Sequence, residues 1–194
     1  MKKRDSVLDM ARSIGIVLVV VGHNYLIIGK YPELNHSIQS FRMPLFLMLS
    51  GVFFSMNNSL LKTISLKSDS LIKPYLTASV IAAVVASTSM TSVDGATTTL
   101  INALTGALIA LPGTIEWTPL WFLPYLFGIH VVATLICGRI HNRKGIALVA
   151  TTSALFGGHL FKQNGLPWCL DLLIVGMGYY LLGFIGYPIV NNFL

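Results

Sequence analysis

Six runs of apolar residues divide this chain, at about 8–28, 41–56, 74–90, 120–137, 145–161 and 169–187. Crossing a ~30 Å hydrocarbon layer takes roughly 20 mostly apolar helical residues, and the runs reach or approach that length once flanking residues are added. Charged residues make up 10% of the 194, against about 25% in a soluble domain, which excludes an ordinary water-soluble domain. The expected fold is all-α, a polytopic transmembrane helix bundle of six spans.

The basic residues set the expected orientation. Lys2, Lys3, Arg4 and Arg12 precede or start the first run, Lys62, Lys67 and Lys73 lie between the second and third, and Arg139, Arg143 and Lys144 follow the fourth. The other gaps hold only Lys30, Arg42 and Lys162, so ten of the 13 Lys and Arg fall on one side. The positive-inside rule makes that side cytoplasmic and puts both termini there, in an inner (plasma) membrane. The formal charge of +6 would suit nucleic acid, but cations gathered between apolar runs mark cytoplasmic loops, and no nucleic-acid partner is expected. The N-terminus looks like a signal peptide. Arg12 inside the run, the Gly22-His23-Asn24 break and the lack of a small-x-small cleavage site favour a retained first span.

One further run, TTTLINALTGALIAL at 97–111, is short and rich in threonine. In this topology the segment crosses twice or not at all, and its length does not allow two crossings. It is expected as an interfacial or re-entrant helix at the outer face, ended by Pro112-Gly113. The serine-rich stretch 57–73 is expected as the main cytoplasmic loop, and Pro44 near the start of a span, where a missing amide costs little. Cys137 and Cys169 fall near opposite faces, so no disulfide is expected. Gly176-x-Gly178 follows no strand and is no dinucleotide fingerprint.

Three stretches carry chemistry. In DMARSIGIVLVVVGHNY, Asp9–Tyr25, Arg12 and His23 lie on nearly one helix face, about 16 Å apart along the axis. An imidazole is the usual general base, and ionisable groups inside spans are usually functional. The competing reading has Arg12 obeying the positive-inside rule and His23 bonding a neighbouring helix. In FRMPLFLMLSGVFF, 41–54, Arg42 stands on the outer side, suited to an anionic glycan or a tetrahedral oxyanion. The alternative is an interfacial arginine on lipid phosphate. In EWTPLWFLPYLFG, 116–128, Trp117 and Trp121 suit either an aromatic belt or a sugar platform, with Glu116 beside them as an acid or sugar ligand. His36, His130, His141 and His159 are weaker candidates, and no facing pair suggests haem. Asp171 is read as a helix cap ahead of substrate binding.

In order and spacing, these stretches resemble the membrane-bound acyltransferase-3 family, which includes surface-polysaccharide O-acetyltransferases. Arg12 and His23 match its first-helix motif, after Asp9; FRMPLFLMLSG matches its second helix; LIKPY at 71–75 and PLWFL at 119–123 match two later motifs. The resemblance implies transfer of an acyl group, acetyl most of all, from acyl-coenzyme A to a hydroxyl of a cell-surface carbohydrate, with no metal. It implies His23 as base, with Arg12, Lys67 and Lys73 near the coenzyme. Arg42, Trp121 and Glu116 are the expected substrate contacts. Where the family often has two arginines in the loop before the third span, this chain has Lys67 and Ser70. Family members are longer, with about ten spans, so 1–194 is expected as one domain incomplete at its C-terminus. Rival readings are a non-catalytic fragment or glycan-export component, and a small-molecule permease.

Overall fold

The computed structural model describes residues 6–24, 30, 32–110, 118–160 and 166–190. These residues form helices and turns, with no strand among them. The α-helices are α1 (Ser6–Gly22), α2 (Pro32–Val52), α3 (Leu60–Lys67), α4 (Lys73–Thr88), α5 (Val93–Ile109), α6 (Phe122–Arg139), α7 (Arg143–Leu160) and α8 (Leu173–Val190). Short 3₁₀ turns, Thr118–Trp121 and Pro167–Leu172, lead into α6 and α8. All-helical architecture is as the apolar runs predict. Three helical stretches among the described residues are long and apolar enough to cross a membrane: Leu60–Thr88, Pro119–Arg139 and Pro167–Tyr187. Among the described residues, the other expected crossings do not meet that measure of length and composition.

α8 is the spine, packed against α2, α6 and α7. Between lipid-solvated helices there is little hydrophobic drive, so close backbone approach and dispersion hold the contact. α2 and α8 cross at Gly51 and Gly183. A Cβ on Gly51 would overlap the Tyr180 carbonyl, and one on Gly183 the Met48 carbonyl. Around this crossing Leu47, Ile129, Ala133, Met177, Tyr180 and Leu181 are buried. The outward faces stay apolar, with Val17, Val20, Val85 and Leu155 all more than half exposed, as lipid-facing helices require.

Several expectations change. The stretch 57–73 is not a loop after Ser59. The Ser59 side chain accepts from Lys62 N and caps α3, a π-helical turn spans Ser68–Ile72, and the helix continues into α4. Tertiary contact explains this: Thr63 is buried, and Thr134 Oγ1 of α6 donates to its hydroxyl over 3.4 Å. The helix Leu60–Thr88, 29 residues, is about 43 Å long, more than a ~30 Å core needs.

The run at 97–111 starts earlier, at Val93, where the Ser92 hydroxyl accepts from Gly95 N over 3.1 Å. It returns along α4 as a helical hairpin, closed where Tyr75 Oη donates to the Ala107 carbonyl. It ends at Ile109, with Ala110 left-handed at φ 53°; Pro112 and Gly113 lie outside the described residues. Pro44 is in the interior of α2, since that helix begins at Pro32. Its missing amide is tolerated where a helix borders a cavity, and Pro44 lines one. Cys137 and Cys169 are buried free thiols.

Candidate functional site

Three segments converge beside the C-terminal end of α1. α1 ends at Gly22, so His23 sits in the turn just past the helix, not deep within it. The α1–α2 contact brings two glycines of α1 against α2: Gly15 faces the Phe46 ring, and Gly22 faces Arg42. A Cβ on Gly22 would stand 2.5 Å from Arg42 Nη1, so glycine makes the room in which the guanidinium reaches His23. The third segment is the turn into α6. His23, Arg42, Met43, Phe46, Trp121 and Phe122 line a cavity of about 120 Å³. A larger one, about 470 Å³, adjoins it through Arg42, Met43 and Trp121 and extends to Tyr125 and Tyr179. Both have aromatic walls: in the smaller, Phe46 meets Phe122 edge-on at 6.2 Å, and in the larger, Trp121 lies 5.7 Å from Tyr125.

His23 Nδ1 lies 2.8 Å from the Val19 carbonyl and 3.3 Å from Arg42 Nη1. One nitrogen cannot donate to the first and accept from the second. The carbonyl only accepts, and its contact is the shorter, so Nδ1 carries the proton and Nε2 the lone pair. Arg42 Nη1 is then a close cationic neighbour of the ring. The arrangement offers a base, a cation and an aromatic platform in one small cavity.

A second cavity, about 140 Å³, lies between the C-terminal end of α2, α3, the π-helical turn and α6. Phe53, Phe54, Asn58, Thr63, Lys67 and His130 are among its lining residues. Arg12 stands at this end: its guanidinium lies 4.1 Å above the Phe53 ring, and Asp9 is 3.7 Å away. Arg12 and His23 therefore flank different cavities. Phe53 follows Arg42 by eleven positions, just past the end of α2, about 16 Å along the helix direction, matching the step from Arg12 to His23 just past the end of α1.

Of the residues singled out in the sequence, His23, Arg42 and Trp121 come together, and Lys67 lines the second cavity beside Arg12's aromatic partner. Lys73 is largely exposed and paired with Asp69 at 2.6 Å, outside that lining. Glu116 and Trp117 lie outside the described residues, as do the side chains of His36 and His159. His141 is exposed ahead of α7. Asp171 is buried in the turn before α8. Sequence reasoning undervalued His130, which lines the second cavity, and Gly22. An ionisable residue within a span was signal enough for the first; a glycine near the end of a span signals close helix approach for the second, without saying which side chain approaches.

Among known families, the model of an acyltransferase domain, the acyltransferase-3 family, fits residues 5–193. No curated protein and no solved structure matches.

Proposed function

The chain belongs to the acyltransferase-3 family, and from that premise we propose that it moves an acyl group, acetyl in the simplest case, from acyl-coenzyme A to a hydroxyl of a cell-surface or exported carbohydrate. Acyl transfer in general follows from the family; donor and acceptor are this reading's own. The observation that carries it is His23 with its Nδ1 proton committed to Val19, leaving Nε2 basic, in a cavity shared with Arg42 and Trp121.

The acceptor hydroxyl gives its proton to Nε2 as its oxygen attacks the thioester carbonyl carbon. The new C–O bond forms and the carbonyl π pair moves to oxygen, giving a tetrahedral oxyanion. The Arg42 guanidinium, 3.3 Å from the ring, supplies the countercharge where little water competes. The intermediate collapses, the C–S bond breaks with its electron pair leaving on sulfur, and the imidazolium proton passes to the thiolate. Trp121 gives the sugar a flat apolar face. Arg12 and Lys67 suit the phosphates of the donor at the other cavity, as charged partners of phosphoryl oxygens. A protein-lined site also keeps water from the thioester.

The reading includes six crossings of an inner membrane with both termini cytoplasmic, supported by the placement of ten of the 13 Lys and Arg. The His23 cavity is then on the outer side and the Lys67 cavity on the inner side. The test uses membranes containing the chain or its His23→Ala variant at equal insertion, with labelled acetyl-coenzyme A and glycan acceptor. Label enters glycan with the wild type and falls by about 10²-fold or more in the variant. Equal incorporation in both would remove His23 from the mechanism, and no transfer above empty membranes would favour a non-catalytic component.

A further inference from the structure

His130 is buried in the middle of α6, at 4% exposure, yet it lines the inner cavity. Its Nδ1 lies 2.8 Å from the Leu126 carbonyl, which only accepts, so Nδ1 carries the proton and Nε2 the lone pair. Nε2 has no hydrogen-bond partner among the described residues. Tyr180 packs edge-on against the ring, with centroids 5.0 Å apart, and Thr134 Oγ1 donates to the His130 carbonyl. The ring is therefore held by the Leu126 carbonyl and by Tyr180 while its acceptor is left uncommitted. An acceptor that faces a cavity is open to a donor from a bound molecule. Helix packing alone does not require an imidazole there, since phenylalanine would fill the same space against Tyr180.

The rest of the cavity carries several polar groups. Asn58, Thr63 and Ser70 add hydroxyl and amide groups, and Lys67 adds a cation. From Phe122 in the outer cavity to His130 in the inner one is eight residues, about 12 Å along α6. An acyl thioester whose amide-bearing arm ends in phosphates carries groups that suit these: amide N–H donors for acceptors and anions for a cation.

We propose that His130 is a positioning residue, whose Nε2 accepts a hydrogen bond from an amide N–H of the donor's arm and so sets how far the thioester reaches toward His23. The proposal rests on acyl-coenzyme A as donor. It gives Lys67 and His130 different duties in one cavity, anion attraction for the first and registration of a neutral arm for the second.

The test measures binding to the purified full chain in lipid nanodiscs. The probes are coenzyme A and adenosine 3′,5′-bisphosphate, which carries phosphates but no arm. The variants are His130→Phe, which keeps a ring against Tyr180, and His130→Gln, which restores a neutral acceptor. His130→Phe weakens coenzyme A binding about tenfold and leaves the bisphosphate unchanged, and His130→Gln recovers part of the loss. Unchanged coenzyme A binding in His130→Phe overturns the proposal. So does an equal loss for both probes, which would mark His130 as a packing residue only. Wild-type protein that binds neither probe overturns the coenzyme reading itself and this proposal with it; wild-type binding with an indifferent His130→Phe overturns the proposal alone.

Discussion

The two cavities share α2 and α6 but are built from opposite materials. The outer one is walled by Phe46, Trp121 and Phe122, with His23 and Arg42 as its polar groups. The inner one is lined by Ser55, Asn58, Thr63, Lys67 and Ser70, with Phe53 and Phe54. Charge in an apolar wall acts at low dielectric and is strong but demands geometry; charge among hydroxyls is weaker and forgiving of position. The first is how a reacting centre is built, and the second is how an anionic substrate is held. The contrast predicts that outer-cavity changes act on turnover and inner-cavity changes on donor affinity.

Arg42→Ala tests the outer half most severely. Loss of a cation at a developing oxyanion costs about 10² to 10³ in kcat, with coenzyme A affinity unchanged. Arg42→Lys recovers part, because a point charge lacks the reach and fork of the guanidinium. Turnover measured in vesicles at saturating donor decides it. If Arg42→Ala instead raised the donor KM at constant kcat, the two cavities would not divide the labour as argued.

Gly22→Ala sharpens the same point without touching a reactive group. The new methyl would sit 2.5 Å from Arg42 Nη1, so the guanidinium must move away from the ring. Turnover is expected to fall about tenfold, in line with the cost of small misplacements in catalytic geometry. Wild-type turnover in Gly22→Ala would show that the His23–Arg42 contact is not required. The Gly22→Ala/Arg42→Ala double variant should be no worse than Arg42→Ala alone, since both act through one side chain.

How much of this was legible depends on what kind of signal a residue gives. The runs at 74–90, 120–137 and 169–187 anticipate α4, α6 and α8 to within a few residues, because a lipid-facing helix announces itself by uninterrupted apolarity. Leu60–Lys67 gave no such signal: its serine, threonine and two lysines read as a loop, and its helix is secured by Thr63 meeting Thr134, a contact between residues far apart in the chain. His23 and Arg42 were visible as rare residue types in apolar surroundings. That they touch was not visible, because it depends on how α1 and α2 cross, and that crossing is set by the missing side chains of Gly15 and Gly22. Lys73 shows an unused signal. Asp69 precedes it by four residues on a helix, the spacing of an ion pair.

That ion pair supplies the smallest and most discriminating comparison, between two lysines six residues apart. Lys67 ends α3 and Lys73 begins α4, on either side of the π-helical turn. Lys67 is half-buried and faces the inner cavity, with no carboxylate within ion-pair distance among the described residues. Lys73 is largely exposed and held by Asp69 at 2.6 Å. A partly buried charge keeps most of its attraction for a phosphate, whereas an exposed, already paired one is screened within about 8 Å at physiological salt. Lys67→Ala should therefore weaken coenzyme A binding several-fold, and more at low salt than at high. Lys73→Ala should change it by less than about twofold at any salt. Titration of both variants at two ionic strengths separates the cases. Equal losses would mean that the segment acts as a diffuse basic patch, and the distinction between a formed inner cavity and a merely charged surface would fall.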